Sequence, residues 1–242
     1  MHNWPKDENT GLPHLICFMI RGKDAKSFLH RQLTHHVLKM PENTAAYSSW
    51  CNPKGRVICD LLIAYAGSDT AESQGKQGAD TYFLVTHHSH IDAISKRMRM
   101  FVLRDDVQIQ LLTNATLLGQ HIAGECPQAK ADSAKVHEFA LPWDQERKLT
   151  IVVTTEVAEK GANTATNQSD QSTPDSEDQY VNVDTSTLER WRLLDIQSGV
   201  CWLPSHLSNE FLPQMLGLEK LNALSFDKGC YPGQEVIART HY

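Results

Sequence analysis

Two apolar runs separated by Asn52-Pro53-Lys54-Gly55 constrain the fold of this chain more than any other feature. Asn, Pro and Gly are turn residues, and the runs Ala45 to Cys51 and Arg56 to Tyr65 read as strands, so the segment predicts an antiparallel hairpin. Leu15 to Ile20 is a further buried strand. Arg21-Gly22-Lys23-Asp24 turns the chain, and Asp24 caps a helix whose apolar face includes Phe28, Leu29 and Leu33. Strands follow at Thr81 to Thr86, Val107 to Leu112 and Lys148 to Val153. A helix is expected from His88 to Met100, with Ile91, Ile94 and Met98 on one face. Leu188, Trp191, Leu194 and Asp195-Ile196 fit an amphipathic helix ending at Gly199. Pro204 to Asn209 reads as a loop and Glu210 to Leu216 as a short helical or turn segment. Hairpins mixed with strand–helix–strand units indicate an α+β fold.

The 242 residues suffice for one large domain or two small ones. We expect two α+β sub-domains, roughly 1–115 and 116–242. Gly67 to Asp80 and Cys126 to Lys135 are polar loops. Glu156 to Thr187 is poor in apolar residues and rich in Asn, Gln, Ser, Thr and Asp, so it reads as a mobile insertion (156–187) unable to offset its ordering entropy. A net charge of -6 argues against bulk nucleic-acid binding. No apolar run reaches the ~20 residues of a membrane span, and the first residues carry no export signal. The six cysteines form no C-x-x-C pair and are expected as reduced thiols in a cytoplasm.

The chemistry concentrates in Asp227-Lys228-Gly229-Cys230-Tyr231-Pro232-Gly233-Gln234-Glu235, followed by Arg239. Pro232-Gly233 turns, and Gln234 to Arg239 reads as a helix. Cys230 is therefore expected just before a helix start, beside the Lys228 cation, and both favour thiolate over thiol.

The pattern Lys228-Gly229-Cys230-Tyr231-x-Gly233-Gln234-Glu235-x-x-x-Arg239 resembles the signature of the YgfZ-type folate-binding proteins. These are relatives of the glycine-cleavage T-protein (aminomethyltransferase). Three other blocks agree: Gly22 to Thr34, Tyr47 to Arg56 and Glu210 to Leu218. The resemblance implies an aminomethyltransferase-like folate-binding fold with mixed or antiparallel sheets and packed helices. It implies tetrahydrofolate, or a one-carbon derivative, as ligand. It also implies iron–sulfur enzymes or tRNA-modification enzymes as partners, and functional weight on Lys228, Cys230, Gln234 and Glu235. Family members continue into a C-terminal β-barrel. This sequence ends at Tyr242, so the barrel is expected to be absent and the apolar side of the last helix to favour weak self-association.

Cys230 and Lys228 are thus the candidate reactive pair. Asn52, Lys54 and Arg56 are expected either to form a plain turn or to meet the glutamate carboxylates of folate, Arg in bidentate fashion. Trp50 and Trp202 are candidate slabs against a flat heterocycle. Gln234, Glu235 and Arg239 complete the candidate ligand set. A catalytic aspartate pair of the T-protein would fall at Cys59-Asp60, where one member is missing, and Asp60 is expected as a satisfied core carboxylate or an exposed edge residue. No metal site is expected: His35-His36 and His87-His88-x-His90 have no partner at metal spacing. The leading reading is a folate-binding accessory protein for iron–sulfur assembly or repair and tRNA modification, without conventional catalytic activity. The alternatives are a folate-dependent aminomethyltransferase and a folate-independent interaction scaffold.

Overall fold

The computed structural model describes residues 8–69, 78–124, 134–154 and 184–241. Nine strands form two antiparallel sheets among these residues. In the first sheet the order is β3 (Thr44–Cys51), β4 (Val57–Asp69), β5 (Ala79–His87), β2 (Leu15–Gly22), β6 (Gln108–Leu111). The second runs β1 (Asn9–Gly11), β7 (Ala115–His121), β9 (Asp144–Thr154), β8 (Ala134–Leu141). β1 belongs to the second sheet, so the expected division near residue 115 does not separate the sheets cleanly.

Strand parity explains how the layers form. Leu61, Ile63 and Tyr65 of β4 join Phe18, Ile20 and Leu84 in a core under helix α1 (Ala25–Gln32). Leu62 and Ala64 point the other way, with Tyr47, Phe83 and Val85, onto Leu117, Phe139 and Ile151 of the second sheet. β4 is therefore buried on both faces, which is why its sequence is almost continuously apolar. Helix α2 (Thr185–Gln197) closes the inter-sheet core with Leu188, Trp191 and Leu194.

The hairpin β3–β4 forms as expected, with Tyr47 opposite Leu62 and Ser49 opposite Asp60. Several expectations are corrected. Asp24 sits at the start of α1 but makes no cap there, because its carboxylate accepts the Asp106 N–H (2.8 Å) across the fold. The helix expected from His88 to Met100 is a succession of short turns: 3-10 at His88–His90, π-helical at Ala93–Arg97 and 3-10 at Met98–Phe101. Ile94 and Met98 are buried, but Ile91 is 39% exposed. β7 and β8 were not anticipated. Residues 70–77, 125–133 and 155–183, which hold most of the three polar segments, lie outside the described residues. At their described ends structure begins earlier than composition suggested: α2 starts at Thr185, where Asp184 accepts from the Ser186 N–H (3.3 Å) and the Ser186 hydroxyl (2.7 Å). Among the described residues no helix is long and apolar enough to cross a membrane.

Candidate functional site

The four motif blocks meet at one end of the first sheet. After α1 the chain forms a bridge from Leu33 to Trp50, and the Thr34 hydroxyl donates to the Ala223 carbonyl (2.7 Å) while accepting the Ser49 N–H (2.9 Å). The Asn209 N–H donates to the Val57 carbonyl (2.7 Å) and the Val57 N–H to the Phe211 carbonyl (2.8 Å), laying the Glu210 block along β4. The hairpin turn is an Asx turn, with Asn52 Oδ1 accepting from the Lys54 (2.8 Å) and Arg56 (3.1 Å) N–H groups. Gly55 and Gly233, both at positive φ (74° and 81°), lie back to back. A Cβ on Gly233 would stand 2.5 Å from the Asn52 carbonyl oxygen, so this contact needs glycine. Helix α3 (Gln234–Arg239) then seats Ile237 among Cys51, Val57, Leu203 and Tyr231.

Lys228 is not turned toward solvent with its thiol neighbour. Its ammonium is buried and donates to the carbonyls of His30, Leu33 (2.5 Å) and His35 (3.1 Å), at the carboxyl end of α1. The negative end of a helix dipole is a natural seat for a cation. Burial pulls this ammonium down to about 7, and three charge-assisted hydrogen bonds oppose that pull. Cys230 is exposed on the loop that Lys228 anchors, and the Gln234 side chain closes the loop onto the Lys228 carbonyl (3.3 Å). The Lys228 ammonium thus has a loop-anchoring contact of its own beside Cys230. Gly233, whose side chain is absent and whose φ is left-handed, occupies the N-cap position of α3.

A second cluster lies on the inter-sheet face of the first sheet. Asp60 is fully buried: Oδ1 accepts the Leu203 N–H (2.8 Å), and Oδ2 accepts from the Tyr47 hydroxyl and the Cys201 thiol (3.4 Å). Burial and the adjacent carboxylate hold the Tyr47 phenol and the Cys201 thiol well above their ordinary values. Trp202 has φ 43°, an outlier for an aromatic residue, and its indole N–H donates to Asp195 Oδ2 (2.9 Å). Asp195 also faces Arg147 (3.0 Å), a fully buried guanidinium stacked on Trp191 at 4.4 Å. Burial raises the Asp195 carboxyl despite Arg147.

Trp202, Asp195 and Cys201 line a cavity of about 220 Å³ with His14, His87 and Arg192. Both ring nitrogens of His14 are buried without a hydrogen-bond partner. Burial, then the Arg192 charge, lowers this imidazole to about 4. A flat ligand with a mixed donor and acceptor edge satisfies such a wall.

The candidate residues are therefore distributed. Trp202 lines the cavity. Trp50 is 1% exposed and points to the α1 side, in edge contact with Phe101. It stands three residues from Tyr47 on one strand, so parity puts the two rings on opposite faces. Lys54 is exposed at the hairpin tip, and the Arg56 guanidinium donates to the Glu210 carbonyl. Glu235 and Arg239 are exposed on α3. Tyr47, His14, Asp195, Arg147 and Cys201 were missed by sequence reasoning. Only Tyr47 carried a signal, by sharing its strand face with the residue opposite Asp60. Among the described residues no group of three or more His, Cys, Asp or Glu side chains is placed to hold a metal ion.

The model of the GCVT N-terminal domain family matches residues 11–145. The tRNA-modifying protein YgfZ of Hamiltonella defensa is 27% identical over 240 residues, covering 92% of this chain and 62% of that protein. Its namesake from Cronobacter sakazakii is 28% identical over 233 residues, covering 92% and 64%. The chain thus spans less than two thirds of the length of these curated relatives. The glycine cleavage system aminomethyltransferase T from Bartonella henselae aligns at TM-score 0.43 and 14% identity, over 60% of this chain and 41% of that one. With more than half of its residues matched by the family model, and with the YgfZ proteins as its curated relatives, the chain belongs to the GCVT N-terminal domain family and is of the YgfZ type.

Proposed function

We propose that this chain is a folate-binding accessory protein acting in tRNA modification and in the assembly or repair of iron–sulfur enzymes. The observation that carries the folate part is the cavity at Trp202: a strained, hydrogen-bonded indole beside the unpartnered His14 imidazole. The fit is good for a reduced pterin. Trp202 would offer the ring an aromatic face, while His14, His87 and Asp195 would offer polar partners. When bound, tetrahydrofolate supplies a carrier for a one-carbon unit. The relatives' name, tRNA-modifying protein, supports the client class.

Asp60 favours the accessory reading over aminomethyl transfer. Both of its oxygens are engaged by Tyr47, Cys201 and Leu203, so it holds the wall together instead of standing open to a substrate amine. Cys230, exposed on a loop tied down by Lys228, is the group offered to a partner.

The test is anaerobic calorimetry of tetrahydrofolate against the intact chain. Saturable binding is expected, weakened about tenfold or more by Trp202→Leu, since ring stacking contributes on the order of 1–3 kcal/mol. Cys230→Ser is expected to bind folate normally and to fail in restoring tRNA modification to cells lacking the relative. Absence of tetrahydrofolate binding counts against the folate reading. Release of an aminomethyl-derived one-carbon unit to folate by this chain favours the transferase.

A further inference from the structure

Trp202 lines the cavity from a left-handed backbone (φ 43°), which persists only where the surroundings over-determine it. Tyr47 and Trp143 pack edge-on against its ring at 5.8 and 6.0 Å. Its indole N–H donates to Asp195 Oδ2 (2.9 Å), and Asp195 Oδ1 lies 3.0 Å from Arg147 Nη1. Arg147 is fixed in turn. Its Nε donates to Asp144 Oδ2 (2.6 Å), its Nη1 donates to the Trp191 carbonyl (3.3 Å), and its guanidinium lies over the Trp191 ring. That ring rests on β7, where a Cβ on Gly119 would stand 2.7 Å from it. Arg147 is fully buried and is not among the residues lining the cavity. A buried ion pair contributes little net stability over apolar packing of the same volume; what it fixes is geometry.

We infer that the buried Arg147–Asp195 pair is the positioning device of this cavity, with Arg147 acting on a bound ring only through Asp195 and the plane of Trp202. The inference rests on the folate reading above and adds how its aromatic wall is held. Burial pushes the Asp195 carboxyl up, and the Arg147 charge opposes that push. As a carboxylate, Asp195 accepts at both oxygens. Once protonated, one oxygen becomes a donor facing the Arg147 or the indole N–H. The other charged and titratable groups around it are Asp144 beside Arg147 on β9, Arg192 on its own helix, and His14 and His87 on the cavity wall. Tyr47, with Asp60 and Cys201, lies beside Trp202. Burial lowers both imidazoles, which leaves Arg147 as the cation in contact with Asp195.

The experiment is anaerobic calorimetry of tetrahydrofolate on the intact chain, with acrylamide quenching of Trp202 fluorescence read as the difference from Trp202→Phe in each background. Arg147→Met removes the charge and keeps apolar volume. It is expected to weaken binding about tenfold or more at neutral pH and to open Trp202 to the quencher. Affinity in this variant is expected to recover from about pH 6 to about pH 9, as the unpaired Asp195 ionises, where the wild type shows no such step. Combining Arg147→Met with Asp195→Asn keeps an oxygen for the indole N–H and buries no charge. The double variant is expected to return to within about threefold of wild-type affinity, with no pH step. Arg147→Lys, which keeps the charge and loses the stacked plane, is expected to fall between. A double variant no better than Arg147→Met overturns the inference, whether the loss is of binding or of folding. So does Arg147→Met with wild-type affinity and quenching. If the wild type binds no tetrahydrofolate, the folate reading fails, and the quenching series alone upholds or overturns the held wall.

Discussion

Replacing Lys228 by Met asks directly what the lysine does. Met preserves the apolar stem and removes the donors. Leaving the carbonyls of His30, Leu33 and His35 without their shared donor is expected to cost Lys228→Met about 2 kcal/mol. Urea unfolding at pH 7.5 measures this as a lower midpoint at unchanged slope. The same variant is assayed for Cys230 by alkylation rate, which is expected to change as the loop loses its anchor. A variant as stable as wild type to within about 0.5 kcal/mol, with an unchanged alkylation rate, refutes the anchoring argument.

Gly233→Ala is expected to destabilise by about 2–3 kcal/mol, since the new methyl meets the hairpin backbone at a left-handed φ; a thermal melt reads it. His14, held near 4 when folded against an ordinary 6.5, stabilises the fold fully above pH 6.5 and progressively less as pH falls toward 4. The loss is about 3 kcal/mol, and His14→Phe should flatten that part of a stability–pH curve. Limiting alkylation with peptide mapping should label Cys230 well before Cys17, Cys51 and Cys59, which are buried, with the Cys51 thiol pushed up to about 12. Asp60→Asn should speed labelling of Cys201, by removing the carboxylate that helps hold that thiol protonated.

Much of this protein is written locally. The hairpin at Asn52-Pro53-Lys54-Gly55 follows from turn chemistry, and the α1 face of Phe28, Leu29 and Leu33 from its helical spacing. The six-residue helix after Gly233 was legible for the same reason: its start signal lies within the segment itself. The expected motif residues are also where the four blocks meet, because each block is contiguous in sequence. What the sequence could not convey is direction across the fold. Lys228 sits two residues from Cys230, yet its ammonium goes to carbonyls some 195 residues earlier in the chain, where a helix end offers acceptors that the local sequence does not contain. Trp50 and Tyr47 are three residues apart and look equally available. The pleat sends one into the α1 core and the other toward Asp60 and Trp202. His14, Asp195 and Cys201 come from a strand edge, a helix and the loop after it, and no spacing rule joins them. Their cavity exists only because two sheets and α2 close around it, and burial there, not residue type, sets the charge states of His14, Asp195 and Cys201.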